Sequence, residues 1–329
     1  MNASTAKPRV AIVGAGVSGL TCGVFFVERA FHVTIFAEEV GTRTTSGAAG
    51  ALWFPYDAKP VDKVVPWALA TYKVLVDLAN DSRTGVSMIE LRQYCRTGKI
   101  QIPVWCKALD GAATALCAVS NFSSGFSVRV PLMDTTVYLD YLAQRFQRVG
   151  GEIKGNVRFE KQEDVDRQFD LVINCAGIGA RGLAQDADLE PHRGQIAIVS
   201  NIDNLDGAIV CDDDPLMYVI PRTNDCVFGG TNEISDDLHA DPATTKAILA
   251  ECTRVLEIQS PPVLRERVGL RPFRKSGVRV EKEKLRDGRT VIHDYGHGGS
   301  GFTLSWGCTQ DVFELAMSKQ SKAPRTKSK

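Results

Sequence analysis

The chain has 329 residues, and its 39 Lys plus Arg balance its 39 Asp plus Glu, leaving no formal net charge. That balance excludes nucleic acid or an anionic membrane surface as the main partner, because each demands a basic excess. With 44% hydrophobic residues the chain has core enough for two lobes, while no apolar run approaches the ~18 residues that span a bilayer.

Residues 1–9 carry Lys7 and Arg9 with no apolar run behind them, so no secretory signal is expected. Nine scattered cysteines without a C-x-x-C pair suit a reducing, intracellular compartment with buried thiols. A first strand, residues 10–13, leads through a glycine-rich turn into a helix that ends near Ala30, and residues 32–37 form a second strand. This strand–turn–helix–strand order opens a parallel, doubly wound sheet. Within 61–80, Trp67, Ala70, Val74 and Leu78 recur at helical spacing. Phe126, Val128 and Val130 alternate with Ser127 and Arg129, the pattern of a half-buried strand. Leu139, Leu142, Phe146 and Val149 mark a helix that Gly150 and Gly151 stop. The apolar run 170–177 reads as a second central parallel strand.

From 195 to 231 the pattern turns antiparallel, with strands 218–221 and 226–230 flanking the polar turn Thr223-Asn224-Asp225. Asp241-Pro242 caps a helix carrying Ile248, Leu249, Cys252, Val255 and Leu256. Two late strands meet at Asp287-Gly288, and the glycine-rich stretch 296–301 leads into a final helix ending near Met317. The basic tail, residues 320–329, lacks apolar side chains enough to fold and is expected to be disordered.

The first turn reads Gly14-Ala15-Gly16-Val17-Ser18-Gly19. Gly14 permits the tight turn, Gly16 lets backbone approach a pyrophosphate, and Gly19 lets helix and strand pack closely. Exposed N–H groups and the helix dipole then favour two phosphates. Glu38 ends the second strand, where a carboxylate can accept from ribose hydroxyls, and Glu39 is its understudy. Glutamate rather than a nearby arginine weighs against NADP; the turn alone does not separate FAD from NAD.

Further segments share one explanation: Thr44 to Tyr56, Asn174 to Gly177, His192 to Ile196, Met217 to Pro221, Gly269-Leu270-Arg271-Pro272, and His293 to Thr303. In this order and spacing the chain resembles the D-amino acid oxidase family of flavoproteins, which includes the D-aspartate oxidases, from about residue 8 to residue 317. The resemblance implies an α/β fold: a doubly wound, Rossmann-like FAD-binding domain interleaved with an antiparallel-sheet substrate domain. The expected division gives 1–50, 135–192 and 265–319 to the FAD domain, and 51–134 and 193–264 to the substrate domain. It also implies non-covalent FAD and oxidative deamination of a D-amino acid by hydride transfer to flavin N5. Oxygen reoxidises the flavin to give hydrogen peroxide, and the imino acid hydrolyses to a 2-oxo acid and ammonia.

By the resemblance, Thr44, Thr45 and Ser46 contact the diphosphate and ribose, while Ala49, Gly50 and Leu52 lie along the isoalloxazine. Cys175, Ala176 and Gly177 end a cofactor-lining strand, and Gly299, Gly301, Phe302 and Thr303 meet the pyrimidine edge. A glycine-rich turn opening a helix suits that edge on chemical grounds, since it offers N–H donors and a positive dipole end to the charge of a reduced flavin. Arg271 is the expected carboxylate clamp, because a guanidinium binds a carboxylate through two parallel hydrogen bonds. Tyr218 supports the same carboxylate. Leu52 and Phe54 face the substrate, and a backbone carbonyl of Gly299 or Ser300 receives its amino group.

No general base and no metal site are assigned, and His297 reads as structural. Residues 210–216 contain three acids and no cation, so neutral and large apolar D-amino acids are expected to be preferred over acidic ones, with basic D-amino acids left open. The alternatives are a D-aspartate oxidase, a glycine or sarcosine oxidase-like flavoenzyme, an NAD-dependent dehydrogenase, and an inactive nucleotide-binding module. A homodimer is left open. The terminal Lys327-Ser328-Lys329 stops one leucine short of a peroxisomal address, so a peroxisomal location is expected, with the cytoplasm as its alternative.

Overall fold

The computed structural model describes residues 8–109, 113–116, 118 and 121–318. A six-stranded sheet runs in the order Arg279–Lys284, Thr290–Tyr295, Leu171–Asn174, Arg9–Ala15, His32–Val40, Glu152–Lys154. All its pairings are parallel except the Arg279–Lys284/Thr290–Tyr295 hairpin. The first strand shows why its apolar run suits the centre. Val10 and Ile12 pack in the large core with the helix Val17–Val27, while Ala11 and Val13 pack with Phe36, Phe169 and Val172 on the opposite face. Side chains alternate across a strand, so a strand covered on both faces must be apolar throughout. The helix Val17–Val27 is correspondingly buried at every position but Ser18, wedged beside the helices Thr135–Arg148 and Gly301–Met317.

A nine-stranded sheet forms the second layer. The strand Leu189–Val199 pairs with Cys226–Gly229, Glu233–Ile234 and Val263–Arg274, and the sheet continues through Met217–Pro221, Gly207–Cys211, Val86–Cys95, Ser124–Met133 and Thr114–Leu116. Met217–Pro221 and Cys226–Gly229 form the expected hairpin, its polar turn closed by Arg222, whose Nε donates to Asp225 Oδ1 at 2.6 Å. The pairing of Val86–Cys95 with Gly207–Cys211 is parallel, where the sequence suggested only antiparallel neighbours. Two strands also cross the boundaries drawn from sequence. Leu189–Val199 runs through 192/193 and Val263–Arg274 through 264/265, both wholly within the nine-stranded sheet. Charged residues at Arg265, Glu266 and Arg267 hide the second strand's alternation.

Caps follow the sequence. Asp241 accepts from Ala243 and Thr244 N–H at the head of Pro242–Leu256, and Asp134 does the same for Thr136 ahead of Thr135–Arg148. The helix Val61–Leu78 lies against Gly301–Met317, where Gly307 N–H donates to Thr71 Oγ1 at 2.9 Å. The eight described cysteines are free and buried, and among the described residues no helix is long and apolar enough to cross a membrane. Tail residues 320–329 lie outside the described residues.

A Cβ on Gly307 would sit 2.2 Å from the Trp67 carbonyl oxygen, a backbone atom with no rotamer to yield. Gly307→Ala is therefore expected to lower unfolding free energy by about 1–3 kcal/mol, the usual cost of overpacking, measured as a reduced urea midpoint at unchanged m-value.

Candidate active site

A cavity of about 1100 Å³ runs between the two sheets, from the Gly14 turn past residues 44–50 to Tyr218 and Arg271. That exceeds the ~300–1,000 Å³ typical of a single drug-sized ligand and leaves room for a dinucleotide and a small substrate together.

At one end Gly14 adopts φ +110°, and a Cβ there would lie 2.3 Å from the Cys175 carbonyl oxygen, so the turn admits only glycine. The helix it opens begins at Val17 with no side-chain cap from Gly16, which leaves its positive end directed at the cavity. Ser46 reaches this end: its Oγ accepts from Val17 N–H at 3.0 Å. Gly14, Gly16, Val17, Ser18, Thr44, Thr45, Ser46, Ala49, Gly50 and Leu52 all line the cavity, as do Cys175, Ala176 and Gly177. Gly19 does not; it lies against the Gly14 carbonyl, the helix–strand contact expected of it.

Glu38 and Glu39 line the same end, but not alone. Glu38 Oε2 lies 3.5 Å from Arg158 Nη1 and Glu39 pairs with Arg43, and both arginines line the cavity. The argument against NADP from a missing arginine therefore does not hold as stated. Two guanidiniums are present, each facing a glutamate. Arg158 is 120 residues from Glu38 in sequence, so spacing could not reveal it.

Gly299, Gly301 and Phe302 border the cavity, whereas Ser300 and Thr303 turn away from it. Ser300 Oγ accepts from Tyr56 N–H at 2.8 Å and donates to its carbonyl at 2.6 Å. Thr303 Oγ1 does the same for Phe54, at 3.0 and 3.1 Å. A hydroxyl both donates and accepts, so each satisfies both backbone groups of a residue that has no strand partner for them. These two hydroxyls fasten the 54–56 wall to the final helix. His297 Nε2 lies 3.0 Å from Asp294 Oδ1, and both residues are buried. Asp294 also sits beside Cys22 and Cys175, and with His297 beside Cys308, two buried groups of ligand-type atoms that no spacing in the sequence announced. Burial pushes the Cys175 thiol well up, and the nearby Asp294 adds to it.

At the other end Arg271 stands opposite His192 in the strand pairing, and its guanidinium lies over Gly194. A Cβ on Gly194 would be 2.5 Å from both terminal nitrogens, so the His192–Ile196 segment supplies the floor on which the cation rests. Nη1 donates to the Thr231 carbonyl at 2.9 Å and to Asn232 Oδ1 at 3.4 Å. Both acceptors are neutral, and Arg271 has no ion pair among the described residues. The Tyr218 ring rests on Gly229, and burial pushes its hydroxyl up against the opposing pull of Arg271.

Tyr56 lies inside a motif quoted from the sequence but received no role there. It lines the cavity, its hydroxyl accepts from Asn232 Nδ2 at 3.1 Å, and burial pushes it up to about 12. Phe54 stacks beside it, with ring centroids 6.3 Å apart, and Leu52, Val210, Leu216 and Ile220 complete an apolar wall. Asp212, from the acidic stretch, borders the same cavity. Water reaches its carboxyl, yet surrounding protein and the neighbouring Asp213 push it up to about 6.

The arrangement thus offers a helix N-terminus met at Val17 by the Ser46 hydroxyl, a long cavity lined in part by glycine turns, and a guanidinium with no ion pair among the described residues beside aromatic side chains. Residues 9–315 match the family described as FAD dependent oxidoreductase (DAO). A D-amino-acid oxidase of Rubrobacter xylanophilus is 38% identical over 94% of this chain and 95% of its own. One of Streptomyces coelicolor is 36% identical over 93% and 96%. The fold is shared with glycine oxidase from Geobacillus kaustophilus, at a TM-score of 0.81 and 17% identity over 98% of each chain. The chain belongs to the DAO family of FAD-dependent oxidoreductases, and FAD is the cofactor its cavity is built to hold.

Proposed function

We propose that this protein catalyses the oxidative deamination of D-amino acids with oxygen as acceptor, preferring neutral and apolar side chains to acidic ones. The observation that carries it is the Arg271 guanidinium, held in a cofactor-sized cavity by neutral oxygens with no carboxylate among the described residues paired to it. A bidentate pair with the substrate carboxylate completes that cation and fixes the α-carbon. The Tyr218 hydroxyl supports the same carboxylate, and the 54–56 wall packs against the side chain and excludes water. Bound FAD supplies a two-electron acceptor that oxygen regenerates, with hydrogen peroxide as product. The chain's own contribution is position, dryness and a preorganised field.

The helix N-terminus at Val17, with Ser46 and the walls at 44–50 and 175–177, would hold the diphosphate and ring system; Gly299 and Gly301 would bring backbone to the pyrimidine edge. Asp212 and its acidic neighbours weigh against D-aspartate and D-glutamate. We infer a cytoplasmic rather than a peroxisomal location, because the two D-amino-acid oxidases compared above come from bacteria.

Purified protein should be yellow, and anaerobic D-alanine or D-valine should bleach it while the L enantiomers leave the spectrum unchanged. Bleaching by glycine and sarcosine but not by D-alanine would overturn the reading. Arg271→Lys keeps the charge but loses the fork; a lost charge-assisted hydrogen bond is worth about 1.5–3 kcal/mol, so KM for D-alanine should rise roughly 10–100-fold in steady-state assays. Gly14→Ala forces a side chain onto the Cys175 carbonyl at positive φ; FAD affinity should fall at least about tenfold, read as flavin fluorescence released on dialysis.

A further inference from the structure

We propose that Asp212 is a specificity-determining residue that receives the cationic end of D-lysine or D-arginine while Arg271 holds the substrate carboxylate. This deepens the oxidase reading above and rests on it. Asp212 lies two residues beyond Val210, which pairs with Tyr218 in the sheet, so the carboxyl enters the cavity next to the substrate-end tyrosine. Tyr56, Arg271 and Asp212 line the same cavity, and the Tyr56 hydroxyl feels the charges of both the arginine and the aspartate. Gln93 Nε2 donates to Asp212 Oδ2 at 2.9 Å and orients it, yet Gln93 carries no charge, and Asp212 has no ion pair among the described residues.

The site therefore presents an unneutralised cation and an unneutralised anion, with Leu52, Phe54 and Leu216 along the same walls. A molecule with a carboxylate at one end, an aliphatic stem and an ammonium or guanidinium at the other matches that pattern of charge and apolar surface. A D-amino acid with an acidic side chain meets the same field with the wrong sign.

Asp213 adjoins Asp212 and accepts from the Arg96 backbone N–H at 2.6 Å, with Asp214 following it. The neighbouring strand Val86–Cys95 brings Arg92 and Gln93, and the Arg96 side chain donates to the Pro215 carbonyl. Tyr56 and Arg271 line the same cavity, and Asp57, next to Tyr56, is paired with His192 at 2.8 Å. Because the Asp212 carboxyl titrates near 6, the attraction for a side-chain cation is present above that value and disappears as pH falls through it. The side chains of D-lysine and D-arginine stay charged throughout.

The experiment compares D-lysine with D-norleucine, which has the same stem without the terminal amine, using flavin-loaded wild type, Asp212→Asn and Asp212→Glu. The ratio of their kcat/KM values should fall about tenfold or more in Asp212→Asn, chiefly through KM for D-lysine, and recover in part in Asp212→Glu. In wild type the ratio should fall several-fold between pH 8 and pH 5, and in Asp212→Asn it should stay flat, which separates Asp212 from His192 and Asp57. If D-norleucine is oxidised and the ratio is the same in all three proteins, the inference is wrong and the oxidase reading stands. If wild type with bound flavin oxidises no D-amino acid, the oxidase reading fails and takes this inference with it.

Discussion

The site is organised around a guanidinium that has no ion pair among the described residues. A half-buried cation is costly unless something meets it. Here the fold supplies neutral partners, the Thr231 carbonyl, the Asn232 side-chain oxygen and the Tyr218 hydroxyl, and clears a floor for the ion at Gly194. Other arginines meet carboxylates, as Arg274 meets Asp186 and Arg145 meets Glu28. Arg193 is also held by neutral oxygens alone, but its donors go to the backbone of Asp237 and His239 and to Gln195, away from the cavity, whereas Arg271 lines it. The long cavity gives the cation its setting, since Arg271 lines the same space as the Gly14 turn and residues 44–46.

Much of this was legible from residue order. The opening strand, glycine turn, helix and second strand have strong periods and turn chemistry that only a covered parallel sheet satisfies. The helices over Val61–Leu78, Pro242–Leu256 and Gly301–Met317 carried apolar stripes, a cap or a glycine lead. The family resemblance assigned Arg271 and Tyr218 to the substrate and Thr44, Thr45, Ser46, Ala49, Gly50 and Leu52 to the cofactor, and all of these line one cavity. What stayed hidden is what depends on partners distant in sequence. Arg158 meets Glu38 across 120 positions, and Gly194 underlies Arg271 across a strand pairing whose charged run shows no alternation. Tyr56 looked like the end of a motif until the fold turned its ring inward.

Ser300 and Thr303 show a different limit. Both belong to the glycine-rich segment assigned to the cofactor, and the segment does border the cavity through Gly299, Gly301 and Phe302. Their hydroxyls nevertheless point to the 54–56 backbone. A motif marks a stretch of chain, while the direction of each side chain is decided by which backbone groups lack partners once the sheets have formed.

Those two hydroxyls tie the backbone of residues 54 and 56 to the glycine-rich turn and the head of the final helix by four hydrogen bonds. The same turn brings Gly299 and Gly301 to the edge of the cavity that Phe54 and Tyr56 also line. Two walls of one chamber thus share a common anchorage, and loss of either hydroxyl would be felt on both.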